Sequence, residues 1–181
     1  MTNAPPPAPE PDLKDWTWAI REPCPDCGFN PRPVAPEDLP PLTRRFAGTI
    51  AAALQCQEAS IRRRPTVWSP LEYGCHVRDV CRLFAERLEL MLTEDDSQFA
   101  NWDQDVTAIE DRYWEQQPGV VAKELREAAE AIADAFAAVE GGQWQRPGRR
   151  SNGSVFTVDT FARYFLHDLA HHAWDATGQR W

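Results

Sequence analysis

The sequence predicts an all-α protein: a four-helix bundle with a long crossover between helices two and three, preceded by an irregular N-terminal arm. Three observations predict it. Apolar residues recur at helical spacing from residue 41 onward. Proline and glycine punctuation cuts that stretch into four long segments. No segment alternates as a half-buried strand would, and there is no internal repeat. The expected division is 1–40, a proline-rich tail and docked arm, followed by 41–181, the bundle.

The tail is "APPPAPEPD", Ala4 to Asp12, expected to be extended or polyproline-like. The arm runs to Pro40 and carries Trp16, Trp18 and Phe29, through which it is expected to dock, and the pair Cys24-x-x-Cys27. The first helix is expected from Pro41 to Arg63, with Leu42, Phe46, Ile50, Leu54 and Ile61 on one face. The second starts after Ser69. That serine suits an N-cap, Pro70 the first turn, and Glu72 the reciprocal position of a capping box. It is expected to reach Leu92. The crossover from Thr93 to Gln117 is long, with room for a short helix in "DVTAIEDRYWE". Pro118-Gly119 opens the third helix and Gly141-Gly142 closes it. The fourth runs from about Val158 to Ala176.

Composition bounds the function. The chain has 181 residues, one domain's worth, and a formal charge of −9. That charge argues against broad binding to nucleic acid or anionic membrane. No apolar run is long enough to span a bilayer, and the proline-rich start lacks a signal-peptide pattern, so a cytoplasmic location is expected. Lysine occurs only at Lys14 and Lys123, with arginine elsewhere, a bias that points to GC-rich coding. Five cysteines in a reducing compartment do not suggest a disulfide framework.

The chain has four histidines, and three fall within "HDLAHH" on the fourth helix. His167 and His171 are four residues apart and therefore share a face. His172 is turned about 100° away, toward Phe161, Phe165 and Leu169. His76 lies about two turns into the second helix. If the two helices face each other, His76 meets His167 and His171, and three imidazoles hold one side of a metal while leaving positions open. That is the ligand pattern of a catalytic zinc site. Nickel or ferrous iron would also accept it. Glu72, Asp79, Asp168 and Asp175 are the carboxylates placed to orient those rings, with a role as fourth ligand the alternative for Asp79. Histidines at this spacing also lie on solvated faces, so spacing alone leaves metal binding and ordinary packing both open.

"VWSPLEYGCHVRDV", "NWDQDVTAIEDRYWEQQP" and "FTVDTFARYFLHDLAHHAWD" together resemble the DinB-like superfamily, including its YfiT-type metal-dependent hydrolases. The resemblance covers about Leu42 to Ala176, and the "CPDCGF" arm looks like a feature of an actinobacterial branch. It implies a four-helix bundle, often dimeric, with a metal triad falling on His76, His167 and His171. It also implies small-molecule partners, a thiol and an electrophile, because members include mycothiol- and bacillithiol-dependent S-transferases and a mycothiol-dependent maleylpyruvate isomerase. The expected activity is transfer of a mycothiol-like thiol, with zinc holding the thiolate. Metal-dependent hydrolysis uses the same open position. A non-catalytic metal-binding or interaction bundle is the third reading.

Arg112 and Tyr113 are expected near the mouth as thiol contacts, against ordinary surface packing as the alternative. Cys24 and Cys27 form half of a zinc-knuckle motif and need two more ligands. A turn with reduced thiols and a second zinc site completed by His172 or Cys56 are the competing readings. The arginines at 62–64 and at 146, 149 and 150 lack the interleaved aromatic residues of a single-strand binder. A solvated loop or an anion-binding rim fits them better.

Overall fold

The start of each long helix is written in its first residues. In the computed structural model the described residues are Pro6, Pro7, Pro9 and 14–181, so the expected tail lies largely outside them. Helix α1 spans Leu39–Ala53, α2 Pro70–Thr93, α3 Gln104–Glu110, α4 Pro118–Ala137 and α5 Val158–Thr177. Ser69 caps α2: its hydroxyl accepts from the Glu72 N–H at 3.3 Å while the Glu72 carboxylate accepts from the Ser69 N–H at 2.8 Å. Thr157 caps α5 in the same way through Thr160. Gly178, at φ 78°, ends α5 in the left-handed conformation that a side chain would strain.

The four long helices pack as a bundle. Helices α4 and α5 each lie against both α1 and α2, so α1 and α2 form one diagonal pair and α4 and α5 the other. Ile50, Leu71, Leu125, Ile132 and Phe165 are buried at the centre. Phe84 stacks on Phe161 with ring centroids 4.5 Å apart. Among the described residues no helix is long and apolar enough to cross a membrane.

Two expectations are corrected. Helix α1 ends at Ala53, ten residues short of Arg63. The chain turns back because the Ala59 carbonyl accepts the Leu71 N–H at 2.8 Å, and because Arg62 leaves the helical path to meet the buried Glu72 carboxylate. Ile61, the last apolar residue of the apparent stripe, is exposed. The second correction is a small sheet. Strands β1 (Ser97–Phe99), β2 (Pro147–Arg150) and β3 (Val155–Thr157) lie in that order, β1 parallel and β3 antiparallel to β2. Strands this short carry too little alternation to be read from sequence. The sheet closes over the C-terminal end of α2. There Arg146 donates from Nε to the Met91 carbonyl at 2.6 Å and from its terminal nitrogen to the Glu94 carbonyl at 2.8 Å, a cation on the negative end of a helix.

The arm crosses the open side of α5. A short 3-10 turn, Trp16–Ile20, rests on that helix. Phe29 meets Phe46 edge-on at 5.6 Å, and Trp181 packs on the same ring at 4.7 Å. The expected docking residues thus divide: Trp16 and Phe29 pack inward, while Trp18 is partly exposed.

Candidate metal centre

A straight helix carries two i, i+4 stripes when polar residues occupy neighbouring pairs of positions. Helix α5 does so, with His167 and His171 on one stripe and Asp168 and His172 on the next, about 100° around. Helix α2 presents His76 to the second stripe and the arm covers the first. Donor atoms of His76, Asp168 and His172 all lie within 4.8 Å of one another. His76 Nε2 is 3.8 Å from one Asp168 oxygen, and His172 Nε2 is 3.8 Å from the other. Ligands on a tetrahedral zinc stand about 3.3 Å apart, so each of these two contacts would shorten by about half an ångström around an ion.

The surroundings hold the rings in a ligating state. The Asp175 carboxylate, 3.0 Å from His172 Nδ1, accepts the proton that nitrogen carries, so in the neutral ring the lone pair is on Nε2. His76 is wedged between Trp102, stacked at 5.4 Å and 6°, and Trp68 at 5.2 Å. Both of its ring nitrogens are buried without a hydrogen-bond partner, a cost that a cation would relieve at the nitrogen bearing the lone pair. Burial, with His172 nearby, holds His76 well below its ordinary 6.5 and therefore neutral. Two neutral imidazoles and one carboxylate are a donor set that fits a divalent metal.

This trio sits at the base of a cleft of about 650 Å³. Trp16 and Lys14 of the arm, Trp102 of the crossover, and Arg150 of the hairpin form its walls. Arg150 lies over the Tyr164 ring at 5.6 Å and is steadied by Asn152 at 3.0 Å. Asp168 and His172 face the cleft while His76 stands behind them, so any bound ion keeps an accessible side.

Residues 17–176 match the sequence profile of the DinB superfamily. The chain belongs to the DinB superfamily. No curated protein matches its sequence. Among solved structures, it is similar to YfiT from Bacillus subtilis, a probable metal-dependent hydrolase with an unusual four-helix bundle topology. The TM-score is 0.72 at 15% identity, over 83% of this chain and 90% of that one. It is also similar to the mycothiol-dependent maleylpyruvate isomerase, with a TM-score of 0.62 at 10% identity, over 81% of this chain and 62% of that one. At such identities the likeness shows the shared fold.

Within this DinB-superfamily fold the expected trio separates. His76 lies with Asp168 and His172, whereas His167 and His171 lie with Cys24 and Cys27. The side-chain roll of α5 decides this, because Asp168 and His172 turn toward α2. Asp168, expected behind the ligands, is itself a ligand candidate. His172, expected among Phe161, Phe165 and Leu169, stands against His76 at 4.6 Å between ring centroids. Glu72 is removed from the centre by Arg62 and the Ser69 cap. Asp79 accepts from the Tyr113 hydroxyl at 2.6 Å and from Arg78 at 2.8 Å, which holds it in the packing between α2 and the crossover. Tyr113 is therefore buried, and Arg112 pairs with Glu115 at the surface at 2.5 Å. Neither lines the cleft. Of the arginines expected to form an anion rim, Arg150 reaches it. The signal that could have found the trio is "HDLAHH", which holds the pair Asp168 and His172 beside the pair His167 and His171.

Proposed function

We propose that the chain is a metal-dependent enzyme that transfers a low-molecular-weight thiol of the mycothiol type to an electrophile, with His76, Asp168 and His172 as its metal ligands. One observation carries the reading: a three-donor cluster with an accessible side, at the base of a cleft wide enough for two small reactants. A divalent metal bound there supplies a Lewis acid that favours the thiolate over the thiol.

The chain's own residues do the rest. Asp175 keeps the proton of His172 on Nδ1, and Trp68 and Trp102 shield His76 from water. Arg150 and Lys14, set beside Asp15, Asp103 and Asp105 in the same lining, give the cleft polar handles of both signs for a reactant, while the Trp16 and Trp102 faces receive apolar parts. Similarity in fold to a mycothiol-dependent enzyme supports thiol transfer. Greater overlap with YfiT supports hydrolysis as the second reading, with water in place of the thiol. A soluble small-molecule enzyme acting without nucleic acid or membrane, in the cytoplasm and as a homodimer, completes the proposal.

The test incubates zinc-loaded protein with a panel of low-molecular-weight thiols and a test electrophile, and analyses products by mass spectrometry. A thioether or thioester adduct is expected with at least one thiol, reduced at least about 100-fold by His76→Ala, as for loss of a group that holds the reacting centre. Hydrolysed electrophile without adduct would favour the second reading. Neither product would remove the enzymatic one.

A further inference from the structure

The arm brings a second donor set to the other stripe of α5. Cys24 and Cys27 sit on a tight turn: the Gly28 N–H bonds the Cys24 carbonyl at 2.9 Å, and the Cys24 N–H bonds the Phe29 carbonyl at 2.9 Å. Gly28 takes φ 82°, and a Cβ there would stand 2.8 Å from the Trp181 carbonyl oxygen, so the turn both needs glycine and is backed by the C-terminus. The two sulfurs thereby face His167 and His171, one turn apart on α5. All four donor atoms lie within 4.8 Å of one another.

We propose that Cys24, Cys27, His167 and His171 form a second, closed metal site that takes zinc and staples the arm to the bundle. This inference goes beyond the proposed activity and stands without it. Three observations point the same way. The Cys24 Sγ to His171 Nδ1 distance is 3.6 Å. A tetrahedron with zinc–sulfur bonds of about 2.3 Å and zinc–nitrogen bonds of about 2.1 Å sets sulfur and nitrogen about 3.6 Å apart. His167 is 4% exposed and its Nε2 is buried without a hydrogen-bond partner. Trp16 packs against both rings, at 5.4 Å from His167 and 4.8 Å from His171, and four protein donors fill a tetrahedral zinc, so no coordination position stays open although both histidines border the cleft. The other nitrogen of His171 lies 4.0 Å from the Asp175 carboxylate. That aspartate also orients His172, so one carboxylate backs a ring of each site.

Cys2His2 is a structural donor set, and its binding energy goes into folding. The segment it would fix includes Lys14 and Trp16, a wall of the cleft. The staple therefore shapes the reactant site without joining its chemistry.

The test uses the full chain with reduced thiols, stripped by chelator and titrated with zinc or cobalt alone. Two equivalents of zinc per chain are expected. Cobalt is expected to give the intense near-ultraviolet thiolate charge-transfer band of a tetrahedral sulfur-ligated ion. Cys27→Ser should lose that band and one equivalent, whereas His76→Ala should lose the other equivalent and keep the band. Failure of the cleft site alone would thus appear as one equivalent with the band intact. Because a cysteine variant can fail to fold, alkylation of the unaltered chain gives a second readout. Zinc should protect Cys24 and Cys27 from iodoacetamide at least about 10-fold in rate while exposed Cys56 reacts throughout. Absence of the thiolate band, unprotected Cys24 and Cys27 in zinc-loaded protein, or a Cys24–Cys27 disulfide in protein purified under reducing conditions would each overturn the proposal.

Discussion

Asp175 is the residue on which the site's electrostatics turn. It holds the proton on His172 at 3.0 Å and stands 4.0 Å from His171. A carboxylate in this place fixes the tautomer and raises the basicity of the ligating nitrogen. Asp175→Ala is expected to weaken zinc binding at the His76–Asp168–His172 centre by about 10- to 100-fold, measured by competition with a chromophoric chelator. Unchanged affinity would mean that packing, from Tyr73 at 5.3 Å and His76 at 4.6 Å, already orients the His172 ring. The importance of Asp175 was half legible: its spacing placed it beside the stripe of His167 and His171, but only the packed rings show that it addresses His172.

At the scale of elements, α5 carries the argument and α2 supplies the opposing face. The boundaries of α2 and α5 and the start of α4 were legible because caps and prolines act locally, over three or four residues, whereas α4 ends at Ala137, short of the expected stop at Gly141-Gly142. The end of α1 was not legible, because no glycine or proline marks Ala53 and the segment that follows is held by partners on α2. Arg62 donates from Nε to both Glu72 oxygens, at 2.8 and 3.1 Å, and Glu72 is 1% exposed. Removing one partner leaves a charge inside the protein. Arg62→Ala is therefore expected to destabilise the fold by about 3–5 kcal/mol, read as a lowered midpoint in urea denaturation. A loss below about 1 kcal/mol would show that the pair behaves as an exposed one.

For the whole molecule, two buried histidines set the response to acid. Burial, with His171 and His172 nearby, lowers His167 to about 3, and burial lowers His76 well below 6.5. Below 6.5 the unfolded chain takes up protons that the folded chain refuses, so stability rises with pH in this range. It is fully present above 6.5 and lost as the pH falls below it. The metal-free protein is expected to lose about 1.4 kcal/mol per histidine between about pH 7.5 and about pH 5.5. Chelator-treated protein denatured in urea at the two values checks this. Equal stability would mean that both rings are hydrated in the metal-free state.

The sequence by itself determined the bundle, its long crossover, the caps and the concentration of ligands on two helices, because periodicity and capping are short-range and repeat along the chain. Only the tertiary structure decided which ligands meet. One residue of helical rotation separates the stripe of His167 and His171 from that of Asp168 and His172, and spacing alone treats the two alike. The roll of α5 against α2 sets one stripe beside His76, and the path of an arm distant in sequence brings two cysteines to the other.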